Sequence, residues 1–129
     1  MKLKFLAAVL AAFLALPALA DTAKDVDTLK SYSVEKKNEA VAYGKKLINA
    51  ADRDIKKLER SAAKASDDTK AQFAQDAKDL KATRDAAKQK LDDMGKASGE
   101  AWDGTKTAFA DAYKDLRDGV ANASKKLKK

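Results

Sequence analysis

Beyond residue 20 the chain sets its large apolar residues three and four positions apart and fills the positions between them with Ala, Lys and Asp. That spacing marks one face of an α-helix, whereas a half-buried strand alternates every second residue. Val34, Val41, Gly44, Ile48, Ala51, Ile55, Leu58, Ala62 and Ala65 form one such row, with a skipped step at Lys37. A seam of this kind predicts lengthwise packing against another helix. Phe73, Ala77, Leu80, Ala87, Leu91 and Met94 form a second row, in which Arg84 takes a seam position. Arg84 there either fixes register by pairing with Asp52 or Asp54 on a facing helix, or runs its stem out to the solvent edge.

The third row is the most aromatic. Trp102, Phe109, Tyr113, Leu116 and Val120 fall within about 40° of one direction at roughly 100° per residue, and Leu127 extends them. Lys106 and Arg117 flank the stripe, and Asp103, Asp111, Asp115 and Asp118 lie on the polar side. Thr105, Ala108, Ala112, Gly119 and Ala123 form a flank of small side chains that lets another backbone come close. The stripe suits a bundle core, and it equally suits a helix lying on phospholipid with its cations reaching toward phosphates.

Local signals divide the rows. Ser33 and Glu35 suit a helix start, Ser66-Asp67-Asp68-Thr69 a turn, Gly95 a helix C-cap, and Ser98 with Glu100 a fresh start. They predict helices over about 34–66, 68–94 and 100–124. The expected fold is all-α, an elongated three-helix antiparallel bundle spanning 33–124. A long helical hairpin running on through Gly95 and a coiled-coil dimer are the alternatives. Residues 21–32 are polar with weak periodicity and read as a flexible arm, and 125–129 as a basic tail.

Residues 1–20 read as a signal peptide, with Lys2 and Lys4 before an apolar run from Phe5 to Leu16, a break at Pro17 and small residues at Ala18 and Ala20. The run is shorter than the roughly 20 residues that span a bilayer. A mature chain beginning at Asp21, periplasmic or secreted from a bacterium, is the expectation. The chain has no Cys, so no disulfide framework or thiolate metal site is available.

Charge narrows the partners. Removing Lys2 and Lys4 from the 27 basic residues leaves 25 against 20 acidic ones, a net +5. Lys125, Lys126, Lys128 and Lys129 supply four of those five charges, so the excess reads as a tail rather than a face. A nucleic-acid domain would carry a basic stripe interleaved with base-reading residues. The tail is instead suited to anionic lipid or cell-wall polymer. Val, Ile, Leu and Phe number 15 among the 109 residues from Asp21 onward. At that proportion the core is thin and rich in Ala, and partner binding or self-association adds to its stability.

One resemblance rests on particular residues. Ala101-Trp102-Asp103-Gly104-Thr105-Lys106 is followed eleven residues later by Ala112-Tyr113-Lys114-Asp115-Leu116-Arg117, and Ala123-Ser124-Lys125-Lys126 begins a third copy. This resembles the eleven-residue repeats of group 3 late-embryogenesis-abundant proteins and exchangeable apolipoproteins. The chain from Ser33-Val34-Glu35-Lys36-Lys37 to the Trp102 segment is also similar to small exported bacterial coiled-coil proteins without an assigned activity. The resemblance implies stress protection or reversible lipid contact, and it carries over no catalytic residue.

Without His or Cys, acid-base chemistry would fall to Asp, Glu, Lys or Tyr in a partly desolvated pocket, which narrow helical packing does not favour. The expectation is therefore a non-enzymatic envelope-stress or interaction protein, with no cofactor, no metal, no nucleic acid and no small-molecule substrate. Its expected partners are itself, another envelope protein, anionic lipid or cell-wall polymer. Peripheral membrane binding and a periplasmic holdase-type chaperone are the alternatives. Candidate contact residues are Trp102, Lys106, Phe109, Tyr113, Leu116, Arg117, Val120, Lys125, Lys126, Lys128 and Lys129.

Overall fold

The structure, a computed structural model, describes residues 19–127, with side chains from Thr22 onward. Among these residues the chain forms four α-helices: α1 (Leu19–Lys30), α2 (Lys37–Ala63), α3 (Asp67–Lys96) and α4 (Trp102–Leu127). A single 3-10 turn, Val34–Lys36, leads into α2. The fold is all-α, as the 3-4 spacing requires. Of the expected signal segment, only Leu19 and Ala20 fall within the description, as the first residues of α1.

The three long helices run up, down and up, because connectors of three and five residues force neighbours to be antiparallel. Their buried faces follow the seams closely. Ile48, Ile55 and Leu58 of α2, Phe73, Leu80, Leu91 and Met94 of α3, and Phe109, Leu116 and Val120 of α4 meet in one core. Val34 and Val41 are half-buried at its edge. Ala40, Ala51, Ala62, Ala87, Ala110 and Ala123 complete the interior and let the helices approach closely. The closest approach is at Gly44, where an added Cβ would lie 2.5 Å from Leu91 Cδ1 and 3.2 Å from the Phe109 ring.

The structure departs from the sequence expectation at the chain's start. Residues 21–32 are not a flexible arm, since α1 occupies most of them and makes the bundle four-stranded. Thr22, Val26 and Leu29 lie at a 4-3 spacing and face inward, with Leu29 fully buried. A polar composition with only two large apolar residues hid that short row. About 18 Å long at 1.5 Å per residue, α1 runs antiparallel to α2 and α4 and covers part of the groove between them.

Helix ends differ too. Ser33 makes no side-chain cap bond, and α2 begins four residues later. Ser66 is the N-cap of α3, its Oγ accepting from the Thr69 N–H at 3.3 Å, so Asp67 and Asp68 open a helix instead of forming a turn. Gly95 is not a C-cap. It lies inside α3, which ends when Ala97 turns extended, φ −67° and ψ 140°. Helices α3 and α4 are separate, which removes the long-hairpin alternative. The expected tail residues Lys125 and Lys126 belong to the last turn of α4; Lys128 and Lys129 lie outside the described residues.

Candidate functional site

The Trp102 row faces the core. Trp102, Phe109, Tyr113, Leu116 and Val120 are each at most 3% exposed, and the flanking Lys106 and Arg117 are buried with them. In the folded bundle the contacts of these seven candidate residues are therefore with this chain's own helices, not with an outside surface. The row had to be covered by something, and α1, α2 and α3 cover it.

Lys106 shows what its burial achieves. Its Nζ donates to the carbonyl oxygens of Lys30 at 2.7 Å and Tyr32 at 2.8 Å. The last four carbonyls of a helix have no partner within it, and a cation there also meets the negative end of the helix dipole. Lys106 thus caps α1 from another helix. Trp102 Nε1 donates to the same Tyr32 oxygen at 3.1 Å, and the Lys106 ammonium lies 5.7 Å from the Trp102 ring centroid. Lys37 acts similarly at the far end of α3, donating to the Ala97 carbonyl at 3.0 Å.

One helical turn and more further along α1, Asp25 faces two tyrosines. Tyr43 of α2 donates to one of its oxygens at 3.0 Å, and Tyr113 of α4 approaches the other at 3.4 Å. Both phenols are held above their ordinary pKa, Tyr113 strongly. Burial is the main cause in each case, and the nearby Asp25 carboxylate adds to it. The seam under α1 is therefore largely polar. A fully buried leucine such as Leu29 is worth about 2 kcal/mol, comparable with the cost of fixing one or two residues, so α1 depends on these polar anchors.

Deeper in the bundle, Arg117 of α4 meets Asp54 of α2, with Nη2 2.9 Å from Oδ2. The side chains are 3% and 7% exposed. The contact is off the hydrogen-bond axis, and Nη1 has no hydrogen-bond partner among the described residues. It is a charge contact between two desolvated groups. Arg84 reaches the edge of the seam and pairs there with Asp52 of α2 at 3.2 Å and with its neighbour Asp85 at 3.1 Å. Lys81 faces Glu59 at 3.7 Å, and Lys126 faces Asp76 at 3.2 Å beside a shallow open depression lined by Thr69 and Gln72. Among the described residues no group of three or more His, Cys, Asp or Glu could hold a metal ion, and no helix is long and apolar enough to cross a membrane.

These cross-helix pairs rearrange the surface charge. Asp52, Asp54 and Glu59 all turn from α2 toward cations of α3 or α4. The opposite side of α2 is left with Lys45, Arg53, Lys56 and Arg60, all exposed, bordered by Lys46, Lys57 and Lys64. The net excess is still the tail's, but within the nearly neutral body charge is segregated, and α2 presents a basic face. A net count over the body hides it, because the compensating acids point elsewhere.

No protein-family model, curated protein or solved structure matches the chain.

Proposed function

We propose that this is a non-enzymatic, exported helical protein that works by surface contact and protects envelope components under stress. One observation carries the reading: the buried charged side chains, Asp54, Lys106 and Arg117, together with the Asp25 that anchors Tyr113, all join one helix to another. General acid-base catalysis needs such a group within hydrogen-bond reach of a substrate. Here Asp54, Lys106 and Arg117 lie beneath neighbouring helices, Asp25 is half-buried at a seam, and each meets a partner within the chain. The surface is rich in charge, with 36% of the sequence Asp, Glu, Lys or Arg. The resemblance to eleven-residue stress-protein repeats in the Trp102 segment points the same way.

The test is aggregation of a heat- or drying-sensitive client enzyme with the purified protein present at equimolar ratio. Suppression of client aggregation is expected, and it should survive Asp25→Asn at temperatures where that variant stays folded. Turnover of an envelope substrate that Asp25→Asn abolished would overturn the reading.

A holdase mode is the second reading, favoured by the polar attachment of α1. Release of α1 would uncover Trp102 and Tyr113, giving an unfolded client an aromatic strip to bind. Lys106→Met, which loosens α1, should then raise client protection above that of the parent. Equal or lower protection by a folded Lys106→Met variant would remove this mode.

A further inference from the structure

We propose that the outer face of α2 is a docking surface for an anionic phospholipid bilayer. Lys45, Arg53, Lys56 and Arg60 fall within about 80° of arc at roughly 100° per residue, centred about 140° around the helix from the buried stripe of Gly44, Ala51 and Ile55. Lys46, Lys57 and Lys64 widen the face to about 120°, over a length of about 30 Å at 1.5 Å per residue. All seven are exposed, and none forms an ion pair among the described residues. The acids that would neutralise them, Asp52, Asp54 and Glu59, are each held by a cation of another helix. Potential from unpaired charges this close together adds up, because their separations are comparable with the Debye length of about 10 Å.

The shape of the face selects the kind of polyanion. It is a convex ridge, interrupted only by Ala42, Asn49 and Ala63, without a groove or an exposed aromatic side chain. A single nucleic-acid strand is gripped by a groove with stacking platforms, and neither is present on this face. A flat surface of phosphates can be reached by long Lys and Arg stems on both flanks of a ridge. Orientation follows from a contrast with α4, whose outward side mixes Asp111, Asp115 and the half-exposed Asp118 with the exposed Lys114 and Lys125. Charges of both signs on that side give an anionic bilayer little net attraction, whereas the α2 face carries bases alone, so the bundle lies on the surface with α2 down. Since no large apolar residue occupies the α2 face, attachment is electrostatic, without insertion. This inference rests on the surface-contact reading above only in taking the outside of the bundle as the working part.

The test is co-sedimentation of the full chain with phosphatidylcholine vesicles in which about one lipid in three is phosphatidylglycerol, at low salt and at about 0.3 M salt. Binding is expected at low salt, loss at high salt, and none to phosphatidylcholine alone. The quadruple variant Lys45→Gln, Arg53→Gln, Lys56→Gln, Arg60→Gln should lose at least about 100-fold in vesicle affinity. A charge-matched control on α3, with the exposed Lys70, Lys78, Lys88 and Lys90 changed to Gln, should lose less than about 10-fold. Equal losses in the two variants would overturn the proposal, as would an absence of binding to anionic vesicles. Tighter binding to duplex DNA than to vesicles at the same salt would overturn it in favour of nucleic acid. Client protection that persists without vesicle binding would sink the bilayer proposal and leave the surface-contact reading standing.

Discussion

Lys106 reaches across to Lys30, 76 positions earlier in the chain, and its ammonium donates to the Lys30 carbonyl oxygen at 2.7 Å. The second bond, to Tyr32, makes Lys106 the principal anchor of the C-terminal end of α1. Hydrogen bonds to a charged group contribute about 1.5–3 kcal/mol each when buried, and losing the donor leaves the carbonyls unsatisfied. Lys106→Met should destabilise the protein by about 2–3 kcal/mol. The loss should appear first as faster amide hydrogen exchange in α1, while the protons of α3 stay protected. Unchanged α1 protection in the variant would show that the apolar contacts of Leu29 and Val26 suffice.

The Arg117–Asp54 pair gives a sharper contrast. Removing one buried partner leaves an uncompensated charge, so Arg117→Met or Asp54→Leu alone should cost about 3–5 kcal/mol in chemical denaturation. The double variant Arg117→Met with Asp54→Leu should recover most of that loss, because an apolar pair of similar volume avoids both desolvation costs. A double variant as unstable as the worse single one would mean that the pair is indispensable to packing.

Two glycines in helices should respond in opposite directions. An added Cβ at Gly104 has open space around it, so Gly104→Ala should stabilise by about 0.5–1 kcal/mol through helix propensity. Gly44→Ala gains the same propensity but drives its Cβ against Leu91 and Phe109. Overpacking of 1–3 kcal/mol is typical, so a net loss of about 1 kcal/mol is expected. Thermal denaturation of the two variants side by side reads the sign directly.

Alkaline pH should weaken the bundle through its tyrosines. Burial holds the Tyr113 and Tyr43 phenols above their ordinary pKa, so the folded state keeps the proton where the unfolded chain releases it. The stabilising contribution is complete below about pH 10 and declines as pH rises beyond that value, because the unfolded state then binds fewer protons. Lysines titrate in the same range, so the relevant quantity is the difference between the parent and Tyr113→Phe. The slope of stability against pH above 10 should be shallower in Tyr113→Phe. Parallel slopes would contradict the buried, protonated state of this phenol.

Much of the helical core was legible in spacing alone. Ile48, Ile55 and Leu58, with Phe73, Leu80, Leu91 and Met94, are apolar at 3-4 intervals and buried where that periodicity puts them. The facing of the Trp102 row was not legible, because a stripe flanked by cations looks the same on a bilayer as in a core. Lys106 and Arg117 are buried only because carbonyls of α1 and the carboxylate of Asp54 receive them, and those partners are distant in sequence. Helix α1 escaped notice because Thr22, Val26 and Leu29 make a row of three among polar residues. The basic face of α2 was hidden for a related reason: Asp52, Asp54 and Glu59 cancel its charge in a count, and only the packed bundle turns them away from it.

Fluorescence of Trp102, the only tryptophan, in protein bound to anionic vesicles is the most direct measurement of which side of the molecule does the work. With α2 on the bilayer and the aromatic row still enclosed, emission and acrylamide quenching should stay at their values in free protein while the protein pellets with the vesicles. A blue shift with protection by lipid, or quenching by bromine-labelled acyl chains, would place Trp102 in the membrane. That outcome would mean that the bundle opens to act and that its outer face is not the working surface.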